Sequence, residues 1–246
     1  MSDRQPDDEL LVICQHIPMK WLKQYDEVLD ILGQQRTLVL SAHAHRVFRE
    51  EHSPNISEVS VGALCGHWWT GERGEDGIPT AIQQCGTPPN YFVFDFNEKS
   101  YSFEVQLASC SGKIDTKGEI WCSSDIDFDK NIPELQNLGE RTIIANIYGT
   151  NHKTSSVEIS VDGINWAKME GKSHIPPSIT RLIYLNKEGD YPSSVSRRQP
   201  LRRLKSNQIW EYHIPEDFPT GTYKIRLLVR DSKGLKPIVI SRIINI

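Results

Sequence analysis

The chain has 246 residues, 38% hydrophobic and 24% charged, enough apolar content for one large domain or two modest ones and too much for wholesale disorder. Its formal net charge of −4 excludes a nucleic-acid binder that works through a broad basic surface, because phosphate affinity comes from clustered Lys and Arg. No apolar run approaches the ~20 residues of a membrane-spanning helix, and the start "MSDRQPDDELL" lacks the basic-then-apolar order of a secretion signal, so a chain beginning at Met1 is expected to be cytoplasmic.

Residues 9–14, "ELLVIC", form a nearly continuous apolar run, the pattern of a parallel strand covered on both faces. His16 and Pro18 end it. In "PMKWLKQYDEVLDILGQQ", Trp21, Leu22, Tyr25, Val28, Leu29 and Leu32 fall close to helical spacing, and Gly33 supplies a C-terminal stop. "TLVLSAHAHR" then reads as a second strand, so strand, helix and strand make a right-handed βαβ unit with parallel strands. Ligands of open α/β sheets bind at the C-terminal ends of such strands. His16 ends the first strand, and His43 and His45 end the second, so the three imidazoles are expected to meet at one sheet edge. Two strands and one helix cannot bury a doubly covered sheet. The expectation is that an upstream segment, or a partner chain, covers the truncated flank.

From about Glu58 the pattern becomes all-β. "NYFVFDF" and "KSYSFEVQL" across "NEK" read as a hairpin. Short strands follow in "GEIWCSS", "RTIIANIYG", "SSVEISVDG", "QIWEYHIP", "TYKIRLLVRDSKG" and "PIVISRIINI". In "TYKIRLLVR" the apolar Tyr223, Ile225, Leu227 and Val229 point one way while Lys224 and Arg226 point the other. Such strands, separated by turns, favour an immunoglobulin-like or fibronectin-like sandwich. The five cysteines lack zinc-knuckle spacing, and a cross-strand disulfide between Cys110 and Cys122 is an option in an oxidising compartment. "SRRQPLRRLK", with Pro200 and flanking serines, reads as a solvated loop.

Imidazole suits zinc, iron, copper and nickel. In extended backbone, residues two apart face one side, so His43 and His45 can converge on one site or on two ions a few ångströms apart. The competing reading is a pair of incidental surface histidines. "CQHIP" and "LVLSAHAHR" resemble the last two motifs of calcineurin-like metallophosphoesterases, a lone His after a strand and then Gly-His-x-His. "GALCGHWWTGERGEDGIPTAIQQCGTPPNYFVFDF" resembles the segment after the catalytic core in a bacterial subgroup of these enzymes. That subgroup carries a C-terminal β-sandwich, and "VEISVDGINWAKM" and "IWEYHIPEDFPTGTYKIRLLVRDSKG" match its style.

The resemblance implies an α/β remnant over residues 1–107, the last βαβ part of a calcineurin-like αββα sandwich with a β-rich extension, and an all-β immunoglobulin/fibronectin-like sandwich over 108–246. His16 and His43 would bind one metal and His45 the other, within a pair of divalent ions (Mn, Fe or Zn) that polarises a phosphate ester and generates a hydroxide for in-line attack on phosphorus. Arg46 would add positive charge near the phosphate, against the plainer reading of a solvated arginine. One of Trp68 and Trp69 would pack in the core while the other, with His67, lines a substrate groove, or both would serve packing alone.

Four departures stand against this pattern. Ala42 occupies the place of the family's Gly, Cys85-Gly86-Thr87-Pro88 replaces Asp-Gly-Thr-Pro, and His67 replaces a small residue. The leading motifs Asp-x-His, Gly-Asp and Gly-Asn-His, which carry the bridging aspartate and remaining ligands, do not precede His16. The expectation is a C-terminal portion of a phosphoesterase, inactive alone and holding no metal by itself, whose parent resides in the bacterial envelope or is secreted. The rival is a non-catalytic module that binds a glycan or protein and keeps relic histidines.

Overall fold

A computed structural model describes residues 9–67, 70–73, 79–108, 117–123, 132–188 and 201–246. β1 (Leu11–Cys14) leads through a 3-10 turn at Met19–Trp21 into α1 (Tyr25–Leu32), followed by β2 (Thr37–Ser41), β3 (Val47–Ser53) and β4 (Ile56–Val61). The sheet order is β1-β2-β4-β3; β1, β2 and β4 are parallel and β3 is antiparallel to β4. The expected βαβ unit is therefore present, with a shorter helix than the apolar spacing spans, because Pro18 opens a 3-10 turn first. Gly33 ends α1 at φ 53, where its N–H reaches Leu29 O.

Alternation along the strands divides the sheet into two apolar faces. Ile13, Val39 and Ile56 pack with Met19 under Tyr25, Val28, Leu29 and Leu32 of α1. Leu38 and Val59 turn the other way and join the main core of the molecule. β1 departs from expectation. It lies at the sheet edge, with Leu11 39% and Val12 36% exposed. Leu11 and Gln15 donate their N–H to β2-side carbonyls, Arg36 O and Leu40 O, whereas Leu10 donates outward to Glu98 O. The same alternation turns the backbone groups of Val12 and Cys14 to the open edge, where no strand pairs among the described residues. An apolar run written for two neighbours has one.

β5 (Thr70–Arg73) pairs with β6 (Pro79–Ala81), and β7 (Asn90–Phe96) with β8 (Tyr101–Leu107) as the expected hairpin. Phe92, Phe94 and Phe103 of this ribbon pack into the main core. The chain continues through β9 (Gly118–Cys122), α2 (Pro133–Gln136), β10 (Thr142–Ile147), β11 (Ser155–Ser160), β12 (Ala167–Lys168), β13 (Glu170–Gly171), α3 (Pro177–Glu188), β14 (Ile209–His213), β15 (Thr222–Asp231) and β16 (Ile238–Asn245). These strands form two four-stranded sheets, β13-β14-β10-β9 and β12-β11-β15-β16. Ile120, Ile143 and Ile147 of the first face Val157, Ile159, Ile225, Leu227 and Val229 of the second across one shared core. As the alternation predicts, Ile225, Leu227 and Val229 are fully buried while Lys224 and Arg226 are exposed.

The α/β sheet is stitched to these sheets through β3. Arg49, buried, donates to both carboxylate oxygens of Asp231 at 2.8 and 3.1 Å and to Gly149 O and Lys233 O, with its guanidinium over the Phe103 ring. Thr154 and Ser155 hydroxyls complete the shell around Asp231. Asn151 donates to Arg49 O and Gln208 to Val47 O. Cys85 accepts the Val47 N–H at 3.2 Å and lies 3.3 Å from Thr87 Oγ1, so the thiol does there what a short acceptor side chain would do. Cys110 and the Trp68–Trp69 pair lie outside the described residues, and with Cys110 the disulfide option does too.

Candidate metal site

β1 and β2 run parallel, so their C-terminal ends open on the same side. The ladder continues one step beyond them, with Ala42 N donating to His16 O. This sets the two loops side by side and brings His16 Nε2 to 2.7 Å from His43 Nδ1, with ring centroids 4.6 Å apart at 71°. One imidazole donates and the other accepts. Two nitrogens bound to one tetrahedral zinc at about 2.0–2.1 Å lie about 3.3 Å apart. Shared ligation would therefore part these rings by roughly 0.6 Å. Trp21 stands edge-on to His43 at 5.9 Å and walls the pair on the helix side.

His45 does not join this pair. The expected extended backbone is replaced by a tight turn: His43 has φ 42 and His45 φ 47, and Ala44 N is hydrogen-bonded to Ala42 O. Left-handed backbone disfavours any residue with a Cβ by about 1–2 kcal/mol, so two non-glycine instances on either side of Ala44 mark a turn held by its surroundings. The turn directs His45 to a second neighbourhood. Its Nδ1 lies 2.7 Å from Gly66 O and 3.8 Å from Cys65 Sγ, and its ring is 6.1 Å from that of His67. A donor hydrogen on Nδ1 toward Gly66 O leaves Nε2 as the lone-pair nitrogen, the arrangement by which an outer carbonyl orients a metal-binding imidazole. Gly66 itself has φ 62, and a Cβ there would meet Ala81 Cβ at 3.0 Å. The three predicted imidazoles thus divide into a His16–His43 pair and a separate His45.

His67 is half-buried, and its pKa is lowered by burial, with its electrostatic coupling to His45 and Arg202 adding to the effect. Its backbone N–H reaches Ile82 O, and its buried Nδ1 has no partner among the described residues. Arg46 lays its guanidinium over the Phe48 ring at 5.1 Å, beside β3.

A polar cluster that sequence reasoning missed lies under α1. Glu50 and Glu58 face each other across β3 and β4, with His52 beside them, and their donor atoms all lie within 4.8 Å of one another. Among the described residues this is the His/Cys/Asp/Glu trio gathered tightly enough to hold a cation. Its atoms are already engaged. His52 Nε2 is 2.9 Å from Glu58 Oε2, Tyr25 OH is 3.1 Å from His52 Nδ1, Met19 N donates to Glu58 Oε1, and Lys20 pairs with Glu50 at 3.0 Å. Burial alone would raise the Glu58 pKa, but hydrogen bonds from His52 and the Met19 N–H outweigh it and hold the carboxyl below its ordinary value. The signal was present in the alternation of "FREEHS", which sets Glu50 and His52 on the helix-facing side, but their partner Glu58 comes from another strand.

The family model described as "C terminal of Calcineurin-like phosphoesterase" matches residues 58–236. The match begins within β4 and runs through β15, ending just before β16 and leaving His16, His43 and His45 ahead of it. No curated protein and no solved structure matches the chain.

Proposed function

The chain belongs to the calcineurin-like phosphoesterases, whose C-terminal domain accounts for residues 58–236, and from that premise we propose that it contributes one half of a two-metal centre for phosphate-ester hydrolysis. The family points to divalent-metal dependence and phosphate-ester substrates. In this reading His16 and His43 hold one ion, His45 holds the other with Gly66 O orienting its ring, and Arg46 and His67 face the substrate. When bound, such ions polarise the phosphoryl group and lower the pKa of a bridging water. The imidazoles fit part of that centre. Its bridging carboxylate is not among them, so no hydrolytic step is derived for this chain alone, and the chain by itself is inactive.

The observation that carries the proposal is the open edge of β1. Three parallel strands end beside the histidines, and the outermost leaves Leu11 and Val12 exposed, with no strand paired to its outer edge among the described residues. A polypeptide adding a parallel strand there would end at the same side as the histidines and could deliver carboxylates to them. The strand order of the C-terminal sheets supports an immunoglobulin-like sandwich, since β9-β10-β14-β13 and β12-β11-β15-β16 reproduce an A-B-E-D sheet facing a C′-C-F-G sheet. A boundary near residue 108 then separates the core remnant from the sandwich.

The test is incubation of the chain with manganese or zinc and a nitrophenyl phosphate ester, beside zinc titration of wild type, His43→Ala and His16→Ala. The expected result is no turnover and weak zinc binding that both variants lose. Robust turnover that His43→Ala abolishes would refute the half-site reading. Zinc retention unchanged in both variants would refute the ligand assignment.

A further inference from the structure

We propose that the outer face of the β12-β11-β15-β16 sheet, with the turn that joins β11 to β12, is a docking surface for an anionic lipid bilayer. The inward residues of β15 fill the core, so its outward residues, Lys224, Arg226, Leu228 and Arg230, define the opposite face. The register places Ile243 of β16 across from Lys224 and Val239 across from Leu228, and these two aliphatics are 65% and 69% exposed. Cations and bare hydrocarbon therefore interleave on one sheet face.

The charge of this face opposes that of the whole chain. Lys168, Lys224, Arg226 and Arg230 meet a single carboxylate, Glu158, which Arg230 pairs. Lys168, Lys224 and Arg226 have no carboxylate partner among the described residues. A chain with net charge −4 that gathers three unpaired cations on one sheet face has segregated its charge, and the complement of that face is an anionic plane.

The β11–β12 turn adds the apolar tip. Asp162 accepts the N–H groups of Ile164 and Asn165 at 2.8 and 2.7 Å and the Asn165 side-chain amide at 2.6 Å. These donors stabilise the ionised carboxylate, lowering its pKa to about 2, and turn the charge back into its own loop. Locked in this way, the turn presents Ile164, 80% exposed, and Trp166, 45% exposed, with little ordering left to do on contact. The turn sits at the Lys224 end of the sheet, because Ser160, the last residue of β11, is in register with Arg226.

A duplex nucleic acid would use the cations and leave the aliphatics without a role. A bilayer interface takes both: headgroups meet Lys and Arg, the indole sits at the headgroup level, and the aliphatics enter the acyl boundary. No described helix is long and apolar enough to cross a membrane.

The experiment is co-sedimentation of the full chain with large unilamellar vesicles of phosphatidylcholine, with and without 30% phosphatidylglycerol, at low salt and at high salt. Binding is expected with phosphatidylglycerol only, and salt should release it. Removing one cation near an anionic surface weakens binding about fivefold, so Lys224→Gln with Arg226→Gln should lower partitioning about 25-fold. Trp166→Ala should lower it severalfold, while Lys23→Gln, on the α/β side, should leave it unchanged. Circular dichroism and thermal midpoints report that each variant is folded. The proposal is overturned by failure to sediment with anionic vesicles, by equal binding to neutral vesicles, by wild-type binding of the double variant, or by a DNA duplex that competes the protein off the vesicles.

Discussion

β1 and β15 are both apolar strands in sheets of four, yet they sit in opposite situations. β15 pairs with β11 and β16 and buries Ile225, Leu227 and Val229 completely. Among the described residues β1 pairs with β2 alone, and three of its four residues, Leu11, Val12 and Cys14, are more than a third exposed. The C-terminal sheets satisfy each other's inner faces, whereas the sheet that carries the histidines is closed on two faces and one edge, and open on the other edge. Structural self-sufficiency and the candidate chemistry thus reside in different parts of the molecule. The two are joined through β3.

That junction should show the largest effect of any single change. Arg49 and Asp231 are buried with bidentate geometry, so removing one partner leaves an uncompensated charge in the interior. Asp231→Asn or Arg49→Met is expected to destabilise by about 3–5 kcal/mol in urea unfolding. Burial alone would raise the Asp231 pKa, but the Arg49 guanidinium and the Ser155 hydroxyl more than offset it and hold the pKa below its ordinary 3.8. A depressed carboxyl contributes stability that is full above its unfolded pKa and lost as pH falls through the folded one. Wild type should therefore lose stability on acidification below about pH 4, and Asp231→Asn should show a flatter profile there. A C-terminal pair of sheets that unfolds independently of the α/β sheet, with Asp231→Asn silent, would break the comparison.

The next effect lies on the helix side. Glu58 anchors the 3-10 turn through Met19 N and α1 through His52 and Tyr25. Glu58→Gln keeps the shape and removes the charge-assisted bonds, with an expected loss of about 1.5–3 kcal/mol. Because its pKa is lowered, the contribution of Glu58 is present above about pH 4.5 and fades below it. If the trio instead serves as a cation site, zinc should stabilise wild type and not the variant. Zinc is expected to shift wild type and Glu58→Gln alike, since Lys20 already neutralises Glu50 and the trio adds no site of its own.

Period-two patterning made β15, β16 and the β7–β8 hairpin readable, because each alternation settles which face is buried without reference to anything distant. The same rule put β1 in a sheet interior, since apolarity on both faces records the neighbours a strand was written for and not those present. His43 and His45 were legible as candidate ligands from residue type and position at a strand end. Their separation was not, because nothing in "AHAHR" announces left-handed backbone at two histidines. α3 escaped notice behind Pro176 and Pro177, although Ile179, Leu182 and Ile183 carry helical spacing and pack on Leu201. Glu58 and Arg49 read as ordinary polar positions of half-buried strands, and their partners lie in other elements, which local patterning does not see.

The smallest expected effect is also the most informative about the open edge. Leu227→Ala in β15 removes fully buried methyl groups and should destabilise by about 2–5 kcal/mol. Leu11→Ala in β1 removes a side chain that already meets solvent, and should change stability by less than about 0.5 kcal/mol. The inequality holds only while the β1 edge stays bare. Once a strand pairs there, Leu11 gains a neighbour and its truncation should cost about 1 kcal/mol or more, by the scale of apolar area removed from water. Measuring Leu11→Ala before and after adding the polypeptide that carries the acidic ligands would therefore report docking at β1 without any reference to activity. A Leu11→Ala effect above 2 kcal/mol in the chain alone would mean that the edge is already covered in solution.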